Sequence, residues 1–381
     1  MAAPISVLVV DDSALMRKMI KGMLADEGGF VVETARNGMD ALERVREVQP
    51  DVVTLDINMP EMDGLTCLSE IMRESPRPVV MVSSLTDHGA RTTLEALELG
   101  AVDYVPKPGG TVSLNLDQSR AELVEKVRRA ARSKVRRTGG LADRLRRQRE
   151  RIATDAPEAE PAPSASPSRR VVDARARRAR QASGVVVSRP PTDVDLVLVG
   201  SSTGGPAALT ELISGLPEAF PSPVVVAQHI PANFTRHLAE RLDSQSALRV
   251  EEVSGVSALE PGVVYLGRGD ADIVISGRPG SLVAKCVPPS PAHRWHPSVD
   301  RMVASALQYL EGSRLVGVLL TGMGDDGAEQ LAEVRRRGGR TVAESEDSAV
   351  VWGMPGELVK RDGATAVLPL RSIAHQVCGW V

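Results

Sequence analysis

Short apolar runs recur along the first third of the chain, each followed by a stretch with helical spacing. The strand-like runs are SVLVV (6–10), VVETA (31–35), VVTLD (52–56), PVVMVSS (78–84) and VDYVP (102–106). Between them, segments such as ALMRKMIKGML and MDALERVREV bring apolar residues round every three or four positions. Strands alternating with helices predict a parallel sheet covered on both faces, here a compact doubly wound domain over about residues 5–108. A last helix over 120–135 puts Leu123, Val127 and Ala130 on one face and basic residues on the other.

From 138 to 192 the periodicity lapses. DAPEAEPAPSASPSRR and its Arg-rich flanks hold too little apolar surface to offset the entropy of ordering, so a disordered linker is expected, with at most transient helix at 144–151 and 174–180. The alternation resumes at 193, with strands expected at 194–199, 223–229, 315–321 and about 340–343. GVVYLGRGDADIVI (262–275) reads as an antiparallel hairpin with a Gly/Asp turn. The expected fold class is therefore α/β with two doubly wound parallel-sheet domains, flavodoxin-like at 4–136 and Rossmann-like with an antiparallel hairpin at 193–381. Residues 137–192 form the linker between them.

Composition adds three points. The net charge of −3 hides a basic stretch: residues 120–180 carry 19 Lys+Arg against 8 Asp+Glu, leaving 27 against 41 elsewhere. Two acidic parts thus flank a basic connector. A nucleic-acid or anionic-membrane tether would be one use for it, but the connector lacks interleaved aromatics, so a solvated linker is preferred and neither nucleic acid nor membrane insertion is expected. The cysteines, Cys67, Cys286 and Cys378, show no metal-ligand spacing, and no apolar run is long enough to span a bilayer. A soluble, cytoplasmic protein with free thiols is expected.

Chemistry falls where strands end. Asp11 and Asp12 follow the first run and Asp56 ends the third; ligands of open α/β sheets collect at these edges. Three carboxylates there would repel unless a hard divalent cation such as Mg²⁺ sat between them. Ser83 and Lys107 reach the same rim, a hydroxyl and an ammonium able to stabilise a phosphoryl group on a carboxylate.

In the second half, Gly200-Ser201-Ser202-Thr203-Gly204 fits G-x-S-x-G, a turn that exposes its central serine. Alone, this loop suits a nucleophile, an anion site or a plain turn equally. It lacks a Walker lysine and the G-x-G-x-x-G pattern. His229 after VVVAQ and Asp325-Asp326 after VGVLLTGMG break the tie: serine, histidine and aspartate at three strand ends supply nucleophile, base and orienter. The amides of Ser202 and Thr203, at a positive helix end, and the backbone of Met323 are candidate oxyanion donors. The order Ser…His…Asp differs from that of ordinary α/β-hydrolases.

Over about 5–135 the pieces VVDDSALMR, LDINMPEMDG, VMVSS and YVPKP resemble a response-regulator receiver domain. The resemblance implies phosphorylation of Asp56 by a histidine kinase, with Mg²⁺ held by Asp11, Asp12, Asp56 and the backbone carbonyl of Asn58. Ser83, Tyr104 and Lys107 match the switch and phosphate-contacting positions. Over about 193–380, GSSTGGP, AQHIP, HPSVD, LLTGMGDDG and VVWGMP resemble, in order, the methylesterase domain of the CheB family of chemotaxis proteins. That implies hydrolysis of γ-glutamyl methyl esters on methyl-accepting chemoreceptors, often with deamidation of receptor glutamines. It also implies a Ser202–His229–Asp326 triad, with Thr203 and Met323 lining the site and no cofactor for the esterase step. A receiver packed over the catalytic face until it is phosphorylated is implied as well. This chain departs from the family with His296 where arginine is frequent and Asp325 where asparagine is. His293 and His296 stand as rival bases, and a phosphorylation-controlled binding module without turnover stands as the rival function.

Overall fold

The computed structural model describes residues 3–83, 86–107, 116–133 and 194–381; the linker expected at 137–192 lies outside the described residues. Elements are numbered in chain order. Strands β1 (Ile5–Val10), β2 (Phe30–Ala35), β3 (Val52–Asp56), β4 (Val79–Ser83) and β5 (Asp103–Pro106) form a wholly parallel sheet in the order β2-β1-β3-β4-β5. Every residue of β3 and β4 is buried, as strands covered on both faces require. The covering helices are α1 (Ala14–Glu27), α2 (Gly38–Val48), α3 (Gly64–Glu74), α4 (Asp87–Leu99) and α5 (Leu116–Ala130). The first four start on a side-chain oxygen, from Ser13, Asn37, Asp63 and Thr86, that accepts a first-turn amide. Each such cap contributes about 1 kcal/mol. Helix α5 begins and ends a few residues before the expected 120–135, and buries Leu123, Val124, Val127 and Ala130 against the β-sheet core.

The second sheet has seven parallel strands in the order β15-β14-β13-β6-β7-β10-β8. These are β6 (Leu196–Ser201), β7 (Val224–Gln228), β8 (Arg249–Val253), β10 (Val263–Gly267), β13 (Leu315–Leu319), β14 (Arg340–Glu344) and β15 (Ala366–Leu368). Its helices are α6 (Gly205–Ser214), α7 (Ala232–Gln245), α8 (Val299–Ala306), α9 (Ala328–Arg336), α10 (Met354–Lys360) and α11 (Leu370–Cys378). A small antiparallel sheet sits beside it, in the order β11 (Asp272–Arg278), β12 (Ser281–Val287), β9 (Val256–Ala258).

The expected hairpin over 262–275 is wrong in its span. Its first half is β10, a fully buried parallel strand between β7 and β8. Its second half, β11, pairs with β12, and the turn falls at Pro279-Gly280, where Gly280 takes φ +81°. Turn-like Gly and Asp residues at 267–270 join two different sheets, which local alternation cannot distinguish from a hairpin.

Both sheets have a point where the chain reverses its direction of winding, between β1 and β3 and between β6 and β13. Open α/β sheets bind ligands at the carboxyl ends beside such points. Cys67 is buried within α3, which pushes its thiol up to about 12 and leaves it inert. Among the described residues no helix is long and apolar enough to cross a membrane.

Candidate functional site

At the first reversal point, Asp11 follows β1 and Asp56 ends β3, both fully buried, while Asp12 is exposed. One carboxylate oxygen from each of the three lies within 4.8 Å of the others. Lys107 Nζ donates to Asp56 Oδ2 at 2.8 Å and stands 3.5 Å from Asp11 Oδ2. Burial raises the pKa of both Asp11 and Asp56, and Lys107 offsets only part of it. Asp11 Oδ2 is buried without a hydrogen-bond partner. A hard divalent cation fits this donor set, since it would satisfy that oxygen and relieve the repulsion. Asn58 sits on the loop after β3, its amide 3.4 Å from Asp56 Oδ1.

Ser83 ends β4, and its Oγ accepts from Thr93 Oγ1 at 2.8 Å. Tyr104 of β5 turns away from this rim. Its ring stacks on Phe234 of α7, with centroids 4.6 Å apart, so the expected switch tyrosine is packed against the second half of the chain.

At the second reversal point, β6 and β7 pair Ser201 with Gln228, which leaves Ser202 and His229 side by side just past the strand ends. His229 Nε2 lies 2.8 Å from Asp326 Oδ2. Its other nitrogen, Nδ1, is buried and unpartnered, and Ser202 lines the same cavity of about 610 Å³. Asp325, by contrast, is exposed and 3.7 Å from Arg361. The expected rivals have other partners: His296 Nδ1 is 3.0 Å from buried Asp272, and His293 Nδ1 is 3.3 Å from the Oγ of Ser298, which itself donates to Asp326.

Asp326 caps no helix of its own; α9 starts on Gly327. Its carboxylate is instead inserted at the N-terminus of α8. Oδ2 accepts from the Val299 amide at 2.7 Å, and Oδ1 from the Asp300 amide and Ser298 Oγ at 3.0 Å each. Burial pushes its pKa up, but the His229 contact and these amides outweigh it and hold the group below the usual carboxylate range. Asp326 thus stays a full anion at neutral pH, fixed in position by donors from one end of a helix.

Asp300, beside it, fares differently. Burial, with the Asp326 charge adding, raises it to about 6. An acid raised on folding favours the folded state below its folded pKa, and that advantage is lost as pH rises from about 4 through 6. Asp300→Asn keeps an oxygen for the Gln330 amide, 3.0 Å away, and removes the charge. We expect it to raise the melting temperature at pH 7.5 and to raise it clearly less at pH 4.5, where the folded carboxyl is still largely protonated. Equal shifts at both pH values in thermal scans would refute the charge account.

Three features escaped the sequence reading. Gln228 Nε2 donates to the carbonyls of Ser202 and His229 at 2.9 and 3.0 Å, and its Oε1 accepts from Ser201 Oγ at 2.6 Å. This side chain locks the two loops together, and a Cβ on Gly205 would lie 1.9 Å from its Oε1. Only its place at the end of an apolar run hinted at such a role. Second, the Ser202 amide donates to Thr321 O at 3.0 Å, so it is consumed by continued pairing past β6 and β13 and is not an oxyanion donor. The Thr203 amide and the uncapped first turn of α6 keep that role open. Met323 is half-buried one residue beyond Gly322, where a Cβ would lie 2.8 Å from that of Ser202; its side chain lines an adjoining cavity.

Third, the cavity holding Ser202 and His229 is walled on one side by β5 and α5. Thr203 Oγ1 donates to Asp103 Oδ2 at 2.7 Å, with both residues buried. Glu98 of α4 forms a two-pronged ion pair with Arg241 of α7, and Arg294 stands 3.8 Å from Glu125 of α5.

The model of the response regulator receiver domain matches residues 7–116, and that of the CheB methylesterase matches 197–377. Protein-glutamate methylesterase/protein-glutamine glutaminase 2 of Rhodopseudomonas palustris is 52% identical over 376 residues, covering 99% of this chain and 98% of its own. Protein-glutamate methylesterase/protein-glutamine glutaminase 3 of Rhodospirillum rubrum is also 52% identical, covering 98% and 96%. The crystal structure of the Thermotoga maritima CheB methylesterase catalytic domain is 36% identical, with TM-score 0.48, over 49% of this chain and 99% of that one.

Proposed function

The chain belongs to the CheB methylesterase family, and on that premise we propose that it hydrolyses γ-glutamyl methyl esters of chemoreceptors through an acyl-enzyme on Ser202. It carries the deamidation of receptor glutamines as a second activity of the same site. The observation that carries this reading is His229, held through Nε2 by Asp326 at 2.8 Å, with its Nδ1 unpartnered and with His229 and Ser202 lining one cavity. Residues 4–136 act as the receiver, 137–192 as the linker and 193–381 as the catalytic domain, in a cytoplasmic protein.

His229 takes the Ser202 proton as Oγ attacks the γ-carbonyl. The developing oxyanion is met by the Thr203 amide at the α6 end, with the Met323 backbone close by. The proton passes to the departing methoxide, releasing methanol and leaving a glutamyl ester on Ser202. His229 then deprotonates water, whose attack breaks the ester and frees the glutamate as His229 returns the proton to Ser202 Oγ. With a glutamine substrate the leaving group is ammonia and the acyl-enzyme is the same.

Asp56 accepts phosphate from a histidine kinase. Asp11, Asp12 and Asp56, with the Asn58 carbonyl, would hold Mg²⁺, which would supply positive charge opposite the phosphoryl oxygens. Lys107 and Ser83 contact those oxygens and carry the change towards Tyr104. In the resting protein Asp103 occupies Thr203 and the receiver closes the cavity. A hydrogen bond to a charged group contributes about 1.5–3 kcal/mol, so losing it shifts the closed population by about tenfold or more.

Methyl-esterified receptor incubated with the full chain is expected to release methanol, and to do so faster with a small-molecule phosphodonor. Asp103→Ala is expected to raise the rate without phosphodonor about tenfold. No methanol under any condition would refute the esterase reading. Methanol at an equal rate from resting wild type and Asp103→Ala would refute occlusion through Thr203.

A further inference from the structure

The segment between β12 and α8 contributes one more group to the catalytic base. The indole of Trp295 lies against the His229 imidazole, with ring centroids 5.3 Å apart and planes 13° from parallel. Its place is defined on two further sides. The Arg294 guanidinium carbon stands 4.8 Å from its ring, and a Cβ on Gly324 would lie 3.6 Å from its Nε1. The neighbouring histidines of the segment are tied to Asp272 and Ser298, which leaves Trp295 as the residue that meets His229.

Nothing in the triad chemistry uses this contact. Indole offers only an N–H donor and an electron-rich face. The face is what His229 meets, and a cation within about 6 Å of an indole centroid is attracted by the ring's quadrupole. On the acyl-enzyme reading His229 gains positive charge as it takes the Ser202 proton, so the attraction strengthens along the reaction.

We propose that Trp295 is a positioning residue for the esterase step, whose indole face holds the His229 ring in plane and stabilises the imidazolium formed as Ser202 attacks. Asp326 supports that cation through its edge at Nε2, and Trp295 supports it through its face. The inference rests on the acyl-enzyme reading.

The test compares Trp295→Phe and Trp295→Leu in the full chain under phosphodonor, with methyl-esterified receptor as substrate and methanol as readout. The leucine variant keeps apolar bulk and loses the π face. It is expected to lower kcat about tenfold with KM within about twofold, whereas phenylalanine retains kcat within about threefold. Far-UV circular dichroism and Asp56 phosphorylation are expected to be unchanged in both. Should the leucine variant fail to fold, Trp295→Met repeats the comparison. Wild-type kcat in the leucine variant, or equal losses in both variants, would overturn the proposal. Absence of methanol from wild type would instead overturn the esterase reading.

Discussion

Ser202→Ala is expected to lower methanol release about 10⁴-fold or more, while Asp56 still takes phosphate at the wild-type rate. The two halves of this expectation come from different parts of the structure. The substitution deletes one oxygen. The hydrogen bonds that Ser202 gives this loop use its backbone: its amide to Thr321 O, and its carbonyl to Gly205 N and Gln228 Nε2. The Cβ that packs against Gly322 also survives. The loop therefore keeps its form, and only the proposed nucleophile is lost. Asp56 works at the edge of a different sheet, beside Asp11 and Lys107, and depends on nothing at Ser202. Measuring methanol and phospho-aspartate in one preparation separates the two outcomes. Persistent full esterase activity would remove Ser202 from the mechanism. Loss of phosphorylation would mean that the variant had perturbed the receiver.

Asp326→Asn is expected to lower kcat about 10³–10⁴-fold with little change in KM, because the base loses both its orientation and the charge that stabilises its cation. The carboxylate accepts four hydrogen bonds, from His229, Val299, Asp300 and Ser298. An amide accepts on one side and donates on the other, so its NH₂ must face either His229 and the Val299 amide or the Asp300 amide and Ser298 Oγ. Leaving buried donors unmet costs about 1–3 kcal/mol, so the variant should also melt earlier. The same substitution at Asp325 touches an exposed group and is expected to leave kcat within about twofold. Kinetics of the two variants side by side, with melting curves, check the distinction. Similar losses in both would place the orienter elsewhere.

How far these sites could be read from sequence follows from what a strand encodes locally. A buried parallel strand is a continuous apolar run, and its chemistry stands at its carboxyl end, so Asp11, Asp56, Ser202 and His229 were visible as run-ending residues. Strand order is not encoded locally. That β13 lies beside β6, bringing Asp326 to His229, could come only from the family resemblance. What escaped notice depends on contacts across long stretches of chain. The N-terminus of α8 receives Asp326 from 27 residues away, by the Val299 bond. Thr203 meets Asp103 across a separation of 100 residues. The misread hairpin fails for a related reason, since alternation reports one covered face and not which strand pairs with it. The bracing role of Gln228 has no local signature, because a polar residue at a strand end looks the same whether it meets solvent or braces two loops.

The Thr203–Asp103 contact has a consequence that runs opposite to the direction in which regulation is usually described. If phosphate on Asp56 weakens that contact, thermodynamic linkage requires the converse by an equal free energy. On the proposed occlusion, a receptor segment whose binding requires Asp103 to leave Thr203 would favour the phosphorylated receiver over the unmodified one. Methylated receptor would then be both substrate and effector of the state of Asp56.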